Sequence, residues 1–378
     1  MWDVPLFDLN FDDRESHAVQ SVLDSQWLTM GEQTQSFEAE FAEMLGESTT
    51  CFAVSSATAA LHMSLLALDV GPDDEVIIPA LTFVADANVV RMVGATPVLA
   101  DSASTDNWNI SADTVRPKIS PATKAVIAVH FAGFPCDMEG LVDLCKEKNV
   151  ALIEDVAHAP NASIKGRECG TFGDVGCFSF FSNKNLSIGE GGMVVTRDEV
   201  LSSRLAALRS HGMSTLTLDR HKGRAISYDV SQVGLNYRMD EMRAAIGKVQ
   251  LMKLAAGNQR RGEHYLEYIQ ELSPLGVRAP FCQISADILP AYHIMPVLLP
   301  EGADRVAVIE HLKENRIQSS IHYPPFWGFT AYANQLKRKD APVVASFIER
   351  ELTLPLYPTM TNQQRHTVVS VLAGALGK

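Results

Sequence analysis

No stretch of this chain approaches the ~18 apolar residues that a membrane-crossing helix needs, so no membrane role is expected. Cys-x-x-Cys spacing is missing among the six cysteines, and no cysteine–histidine set is spaced for zinc. A metal module is therefore not read here, and the thiols are expected to be reduced. Runs of lysine or arginine are also lacking: 32 basic against 45 acidic residues leave a formal net charge of −13, which argues against a nucleic-acid partner. The opening "MWDVPLFDLNFDDRESHA" is acidic and has no apolar signal core, so the expected location is cytoplasmic. Internal repeats and low-complexity segments are absent. What remains is a chain of 378 residues, 46% hydrophobic and 20% charged, long enough for a large core and for about two domains.

Near the start, "DDRESHAVQSVLDSQW" and "TQSFEAEFAEMLG" carry apolar residues at helical spacing. "CFAV" then reads as a short strand, followed by a turn of small residues and a helix from Thr58. From there strands and helices alternate. "DEVIIPA", "TPVLAD", "KAVIAVHFAG", "VALIEDVA", "VGCFSFF" and "GGMVVT" read as strands, with "TFVADANVVRMVG" and "DMEGLVDLCKEKN" as helices among them. The strands are near-continuous apolar runs, as strands buried on both faces are. An α/β fold with a mostly parallel sheet between helices follows. "RDEVLSSRLAALRSHG" and the long "RMDEMRAAIGKVQLMKLAAGNQRRGEHYLEYIQEL" come next. The remainder reads as a small α+β unit, giving a large domain over 1–254 and a C-terminal domain over 255–378.

Ligands in such sheets bind at the carboxyl ends of the strands, and three strand ends carry unusual chemistry. "SSATAAL" opens a helix with small residues, where backbone N–H groups and the helix dipole favour an anion such as phosphate; a plain N-cap is the other reading. "ALIEDVAHA" ends a buried strand in Glu154 and Asp155, with His158 close behind. A carboxylate there needs a partner, either a helix start or a cationic ring nitrogen. "GCFSFFSNKNLSIGEGGMVV" places Lys184 after another buried strand. A desolvated lysine has a lowered pKa and can attack a carbonyl, whereas a snorkelling one would keep its head in water. Ser179 at the end of that strand can hydrogen-bond a phosphate. Together these describe pyridoxal 5'-phosphate, which needs an anchor for its phosphate, an anion for its pyridinium and a lysine for its aldehyde.

With these motifs the sequence resembles the DegT/DnrJ/EryC1/StrS family of sugar aminotransferases over nearly its whole length. "SQWLTMGEQTQSFEAEFAEMLG", "IPALTFVADANVV", "VHFAGFPCDM", "LRSHGM", "LNYRMDEMRAAIGKVQL" and "IHYPPF" join the segments already quoted, all in the family's order. The resemblance implies a fold-type I, aspartate-aminotransferase-like structure working as a homodimer with shared active sites. It implies Lys184 as the Schiff-base lysine and Asp155 as partner of the pyridine nitrogen. Phe83 would stack on the ring, His158 would lie beside the cofactor, and Ala57, Thr58 and Ser179 would hold the phosphate. Asn236 would reach the phosphate bound by the partner subunit. Trp27, Thr29 and Met30 are expected to line the sugar pocket. His322 and Tyr323 are expected to approach the substrate or the donor carboxylate from the other subunit, and His211 and Arg238 are weaker candidates.

The implied reaction is a ping-pong transfer of an amino group from glutamate, which leaves as 2-oxoglutarate, to a nucleotide-linked keto sugar. The loop around Lys184 is similar to that of family members aminating C4 of 4-keto-6-deoxyhexoses. Members acting on 3-keto sugars tend to carry Gly-Asp where this chain has Gly189 and Glu190. A 3-keto nucleotide sugar or keto-cyclitol aminotransferase is the alternative enzyme, and a regulatory protein retaining the fold is the alternative of another class.

Overall fold

The computed structural model describes residues 2–46, 48–213 and 227–378. Helix α1 (Asp13–Ser25) starts on a capping box between Asp12 and Glu15, and α2 (Glu32–Leu45) buries Phe37, Phe41 and Leu45. There follow β1 (Thr50–Val54), α3 (Ala57–Ala67), β2 (Glu75–Pro79), α4 (Ala85–Met92), β3 (Thr96–Ala100) and β4 (Thr123–Val129). Next are α5 (Met138–Lys148), β5 (Ala151–Asp155), β6 (Val175–Ser179), β7 (Gly192–Thr196) and α6 (Glu199–Arg209). These strands form one seven-stranded sheet in the order β1-β7-β6-β5-β4-β2-β3. Only β7 runs against its neighbours β1 and β6; the other pairs are parallel. Helices cover both faces, so the strands are buried on both sides, which explains their unbroken apolar runs. None of the described helices is long and apolar enough to cross a membrane.

Two strands stop short of the apolar runs that announced them. "KAVIAVHFAG" ends as a strand at Val129, because Ala132 and Gly133 take positive φ angles in a tight turn. A Cβ on Gly133 would lie 2.7 Å from the backbone nitrogen of Tyr292, so the turn is pressed against a later segment. "VGCFSFF" leaves the sheet after Ser179.

Helix α7 (Glu241–Leu272) spans 32 residues from its Asp240 N-cap. It runs unbroken across residues 254 and 255, where the sequence reading expects a division, and leads into a smaller layer. There β8 (Met295–Leu298) pairs antiparallel with β9 (Glu351–Leu354), and α8 (Arg305–Glu314) packs on α9 (Asn362–Ala375). The chain's first residues join this layer. Asp3 and Val4 donate N–H bonds to the carbonyl of Arg316, Gln318 returns one to Val4 at 2.9 Å, and the Leu6 N–H reaches the Gln318 side chain at 3.0 Å.

Candidate active site

The parallel register aligns Val129 with Asp155 and Asp155 with Cys177, so β4, β5 and β6 end side by side. Their ends face the start of α3 across a cavity of about 380 Å3. At one end of the cavity, Ser56 caps α3 by accepting the N–H of Ala59 at 3.1 Å. Ala57 and Thr58 occupy the helix's open first turn, where N–H groups point outward. Ser179 closes the same end from β6.

Gly192 explains how close this end is drawn together. It pairs with Val54 on one side and Ser179 on the other. A Cβ there would sit 2.6 Å from the carbonyl carbon of Ser56 and 2.7 Å from the nitrogen of Ala57. No other residue lets β7 lie directly against the helix start. The glycine-rich turn thus shapes the anion end of the cavity as well as reversing the chain.

Lys184 sits in the compact loop between β6 and β7, its N–H held by Phe181 at 2.8 Å. Burial lowers its pKa to about 8, against the opposing pull of the Asp155 charge. Its Nζ lies 3.4 Å from Nε2 of His293. The tautomer of His293 follows from its neighbours. Asn185 donates its Nδ2 hydrogens to the carbonyls of Ala291 and the Asn258 side chain, both at 2.7 Å, so its Oδ1 must accept from Nδ1 of His293 at 2.8 Å. His293 therefore offers a lone pair to the lysine. The sequence reading missed His293, which stands just before β8 with no motif around it.

Asp155 is buried at the end of β5 and accepts the N–H of Ala157 at 2.8 Å. Burial raises its pKa, opposed by that hydrogen bond and by Lys184 and His130. Asp86, fully buried on α4, is pushed well up by burial and by the charge of Asp155. Thr82 donates to one Asp86 oxygen, and among the described residues the other has no partner. A charge on Asp155 disfavours one on Asp86, so the two buried carboxyls do not both ionise. The charge belongs on Asp155, which has the N–H donor and the lysine; Asp86 keeps its proton.

Glu154 points the other way along β5 and has a different task. One oxygen accepts the N–H groups of Phe172 and Gly173 at 2.6 and 2.7 Å; the other accepts Gly170 N–H at 2.8 Å and His130 Nε2 at 3.1 Å. His130 accepts the Cys136 N–H on Nδ1, so its Nε2 carries the proton it gives to Glu154. Cys169 lies close enough to make a three-ligand cluster with these two, but both carboxylate oxygens are already committed. Glu154 fixes the 170–173 loop. Glu154→Gln would turn an amide against N–H donors and should lower stability by about 2–4 kcal/mol. Thermal or urea unfolding measures this, and a change under about 0.5 kcal/mol would contradict the assignment.

Of the residues singled out from sequence, Ala57, Thr58, Phe83, Asp155, His158, Ser179 and Lys184 border the one cavity. Phe83 leaves 53% of its surface exposed while facing this cavity, an apolar ring with room for a flat partner. His322 and Tyr323 border it too, and here the expectation needs correcting: they arrive from the same chain, not from a second subunit. Helix α7 carries the smaller layer back over the strand ends, and the Tyr323 hydroxyl lies 2.9 Å from Nε2 of His158. Because Nδ1 of His158 accepts the Ala132 N–H, Nε2 is the donor and the Tyr323 hydroxyl accepts. The tyrosine proton is then left to the cavity, and burial raises its pKa far enough to keep it there. Trp27, Thr29, Met30 and Asn236 do not border this chain's cavity. Asn236 pairs with Ser210, whose hydroxyl also accepts from Arg238 at 2.8 Å, and His211 bonds to Leu235.

These residues fit pyridoxal phosphate: a helix start and Ser179 for the phosphate, an ionised Asp155 for the ring nitrogen, Phe83 for the ring face and Lys184 for the aldehyde. The DegT/DnrJ/EryC1/StrS aminotransferase family model matches residues 10–373. Among solved structures, the aminotransferase TlmJ from Streptoalloteichus hindustanus is 34% identical with a TM-score of 0.89, covering 100% of this chain and 99% of that one. DesV from S. venezuelae is 31% identical with a TM-score of 0.89, each chain covered in full at 100%. Spr1654 from Streptococcus pneumoniae, a candidate sugar aminotransferase solved in its PMP form, is 27% identical with a TM-score of 0.91, covering 100% of this chain and 99% of that one. The family match over nearly the whole chain and these likenesses agree with the cavity's chemistry: the chain belongs to the DegT/DnrJ/EryC1/StrS aminotransferase family and is a pyridoxal-phosphate-dependent sugar aminotransferase.

Proposed function

We propose that this enzyme moves the amino group of glutamate to C4 of a nucleotide-linked 4-keto-6-deoxyhexose. The observation that carries the reading is the single cavity in which Lys184, Asp155 and the start of α3 meet. The bound cofactor supplies an electron sink for the carbon that loses or gains a proton. Asp155 holds the ring nitrogen in its protonated form, which that sink requires. Ala57, Thr58 and Ser179 would hold the phosphate, and Lys184, on the same cavity, would meet the aldehyde that the neighbouring ring carbon carries. Lys184 moves the proton at the amine-bearing carbon; with a pKa of about 8 it both takes up and gives back a proton near neutral pH. His293 orients its Nζ by accepting from it. Tyr323 presents a hydroxyl proton to whichever substrate oxygen lies over the ring.

The keto sugar enters past Glu190, which borders the cavity mouth from the lysine loop. The choice of C4 rests on the resemblance of that loop. In our reading the enzyme works as a homodimer, and Trp27, Thr29, Met30 and Asn236 serve the cavity of a second copy. Exposed apolar side chains of the same N-terminal region, Leu9, Phe11, Leu23 and Leu28, are consistent with a covered face. The test is incubation with glutamate and a panel of nucleotide-linked 4-keto and 3-keto sugars and a keto-cyclitol, locating the new amine by NMR. A 4-amino product is expected. Amination at C3 or of the cyclitol alone would replace the proposal, and no product from any keto sugar would end it.

A further inference from the structure

His322 borders the cavity with one edge and enters a buried network with the other. Its Nδ1 lies 2.9 Å from Oγ1 of Thr353, and that hydroxyl lies 2.7 Å from Oε1 of Glu351. The remaining glutamate oxygen accepts the backbone N–H of His322 at 3.1 Å, which pins the carboxyl in place. Glu351 and Thr353, both on β9, are fully buried.

The threonine hydroxyl has one proton, so the network has two consistent directions. With Glu351 ionised, Thr353 donates to it and accepts from Nδ1–H of His322; Nε2 then bears a lone pair. With Glu351 protonated, Glu351 donates to Thr353, Thr353 donates to Nδ1, and the imidazole proton sits on Nε2. We propose that His322, Thr353 and Glu351 form a proton relay that lets His322 take a proton from the cavity at Nε2 without becoming charged. One proton enters at Nε2, the Nδ1 proton passes to Thr353, and the Thr353 proton passes to Glu351. The imidazole is neutral before and after, and the proton is stored on the carboxyl.

The surroundings require this arrangement. Burial, with Lys184 nearby, lowers the His322 pKa to about 3, so an imidazolium is not sustained there. His158 and His293, packed on the same side, are lowered by burial in the same way. Tyr323 is neutral for the reason already given. Burial raises Glu351 to about 8, with its bonds to Thr353 and the His322 N–H and the charge of Arg305 on α8 pulling the other way. Arg305 itself donates to the backbone carbonyls of Ile348 and Glu351. The carboxyl is thus the one member of the chain that can hold the proton near neutral pH. Glu351 and Thr353 act through His322 and are positioning residues.

The relay concerns the cavity's proton inventory and stands whichever keto sugar is aminated, so its test needs no sugar. The full-length protein, loaded with pyridoxal phosphate and carrying [15N]histidine, is compared by two-bond 1H–15N correlation spectra at about pH 6.5 and about pH 9.5, either side of the Glu351 value of about 8. His322→Gln identifies the His322 signals. The wild type should show His322 protonated on Nε2 at the lower pH and on Nδ1 at the higher. Glu351→Gln, whose amide can only donate to Thr353, should hold the Nε2-protonated form at both. Thr353→Ser should behave as wild type. A tautomer that does not change with pH in the wild type, an imidazolium at the lower pH, or a Glu351→Gln protein that still switches would each overturn the proposal.

Discussion

Lys184→Ala is expected to lower turnover at least about 10,000-fold and to remove the visible absorbance of pyridoxal phosphate bound through lysine. The loss is large because the side chain has two tasks, forming the carbonyl bond and carrying the proton. Its environment suits both. At pH 7 about a tenth of the amine is neutral at a pKa of about 8, against about 1 in 3,000 at the ordinary 10.5. Accordingly, the rate at which the cofactor-free wild type takes up pyridoxal phosphate should rise with pH and level off just above 8. A plateau only near 10.5 would show that burial does not lower this lysine. Turnover of the alanine variant within about tenfold of wild type would remove Lys184 from the chemistry altogether.

Asp155→Asn should cost roughly 1,000-fold in kcat, with a smaller loss of cofactor affinity. The asparagine keeps the shape and the acceptor for Ala157 but not the charge that holds a ring nitrogen protonated. Removing one member of a buried charge pair costs about 3–5 kcal/mol, which sets the size of the effect. Asp86 cannot substitute, since its carboxyl keeps its proton beside Thr82. Steady-state kinetics with a spectrophotometric titration of cofactor separates the two losses. A kcat within tenfold of wild type would mean that Asp155 only caps the turn after β5.

What could be read from the sequence was chemistry compressed into short segments. "SSAT", "IEDVAHA" and "SNK" each put a distinctive residue at the end of an apolar run, and the sheet order brings those ends together. The alternation of buried strands with helices carried the architecture for the same reason, since burial on both faces leaves a mark on every residue of a strand. His293 left no such mark. Its role depends on Asn185, 108 positions away, and on which way that amide is turned. Glu351 and Thr353 look like polar residues alternating along an ordinary strand, and only their packing behind His322 gives them a task. The source of Tyr323 was misjudged because a sequence does not reveal whether a distant segment folds back onto its own chain or reaches a neighbour's.

The N-terminal strap has a consequence for how the chain is made. Leu6 finds its partner on Gln318, 312 positions later. At about 5–20 residues per second, that partner leaves the ribosome on the order of 15–60 seconds after Leu6 does. The large sheet, whose strands all precede residue 197, can assemble in that interval, while the first six residues wait for the smaller layer to be synthesised. The segment around Leu6 is therefore made well before the partner that secures it, and it is fixed only when the smaller layer folds.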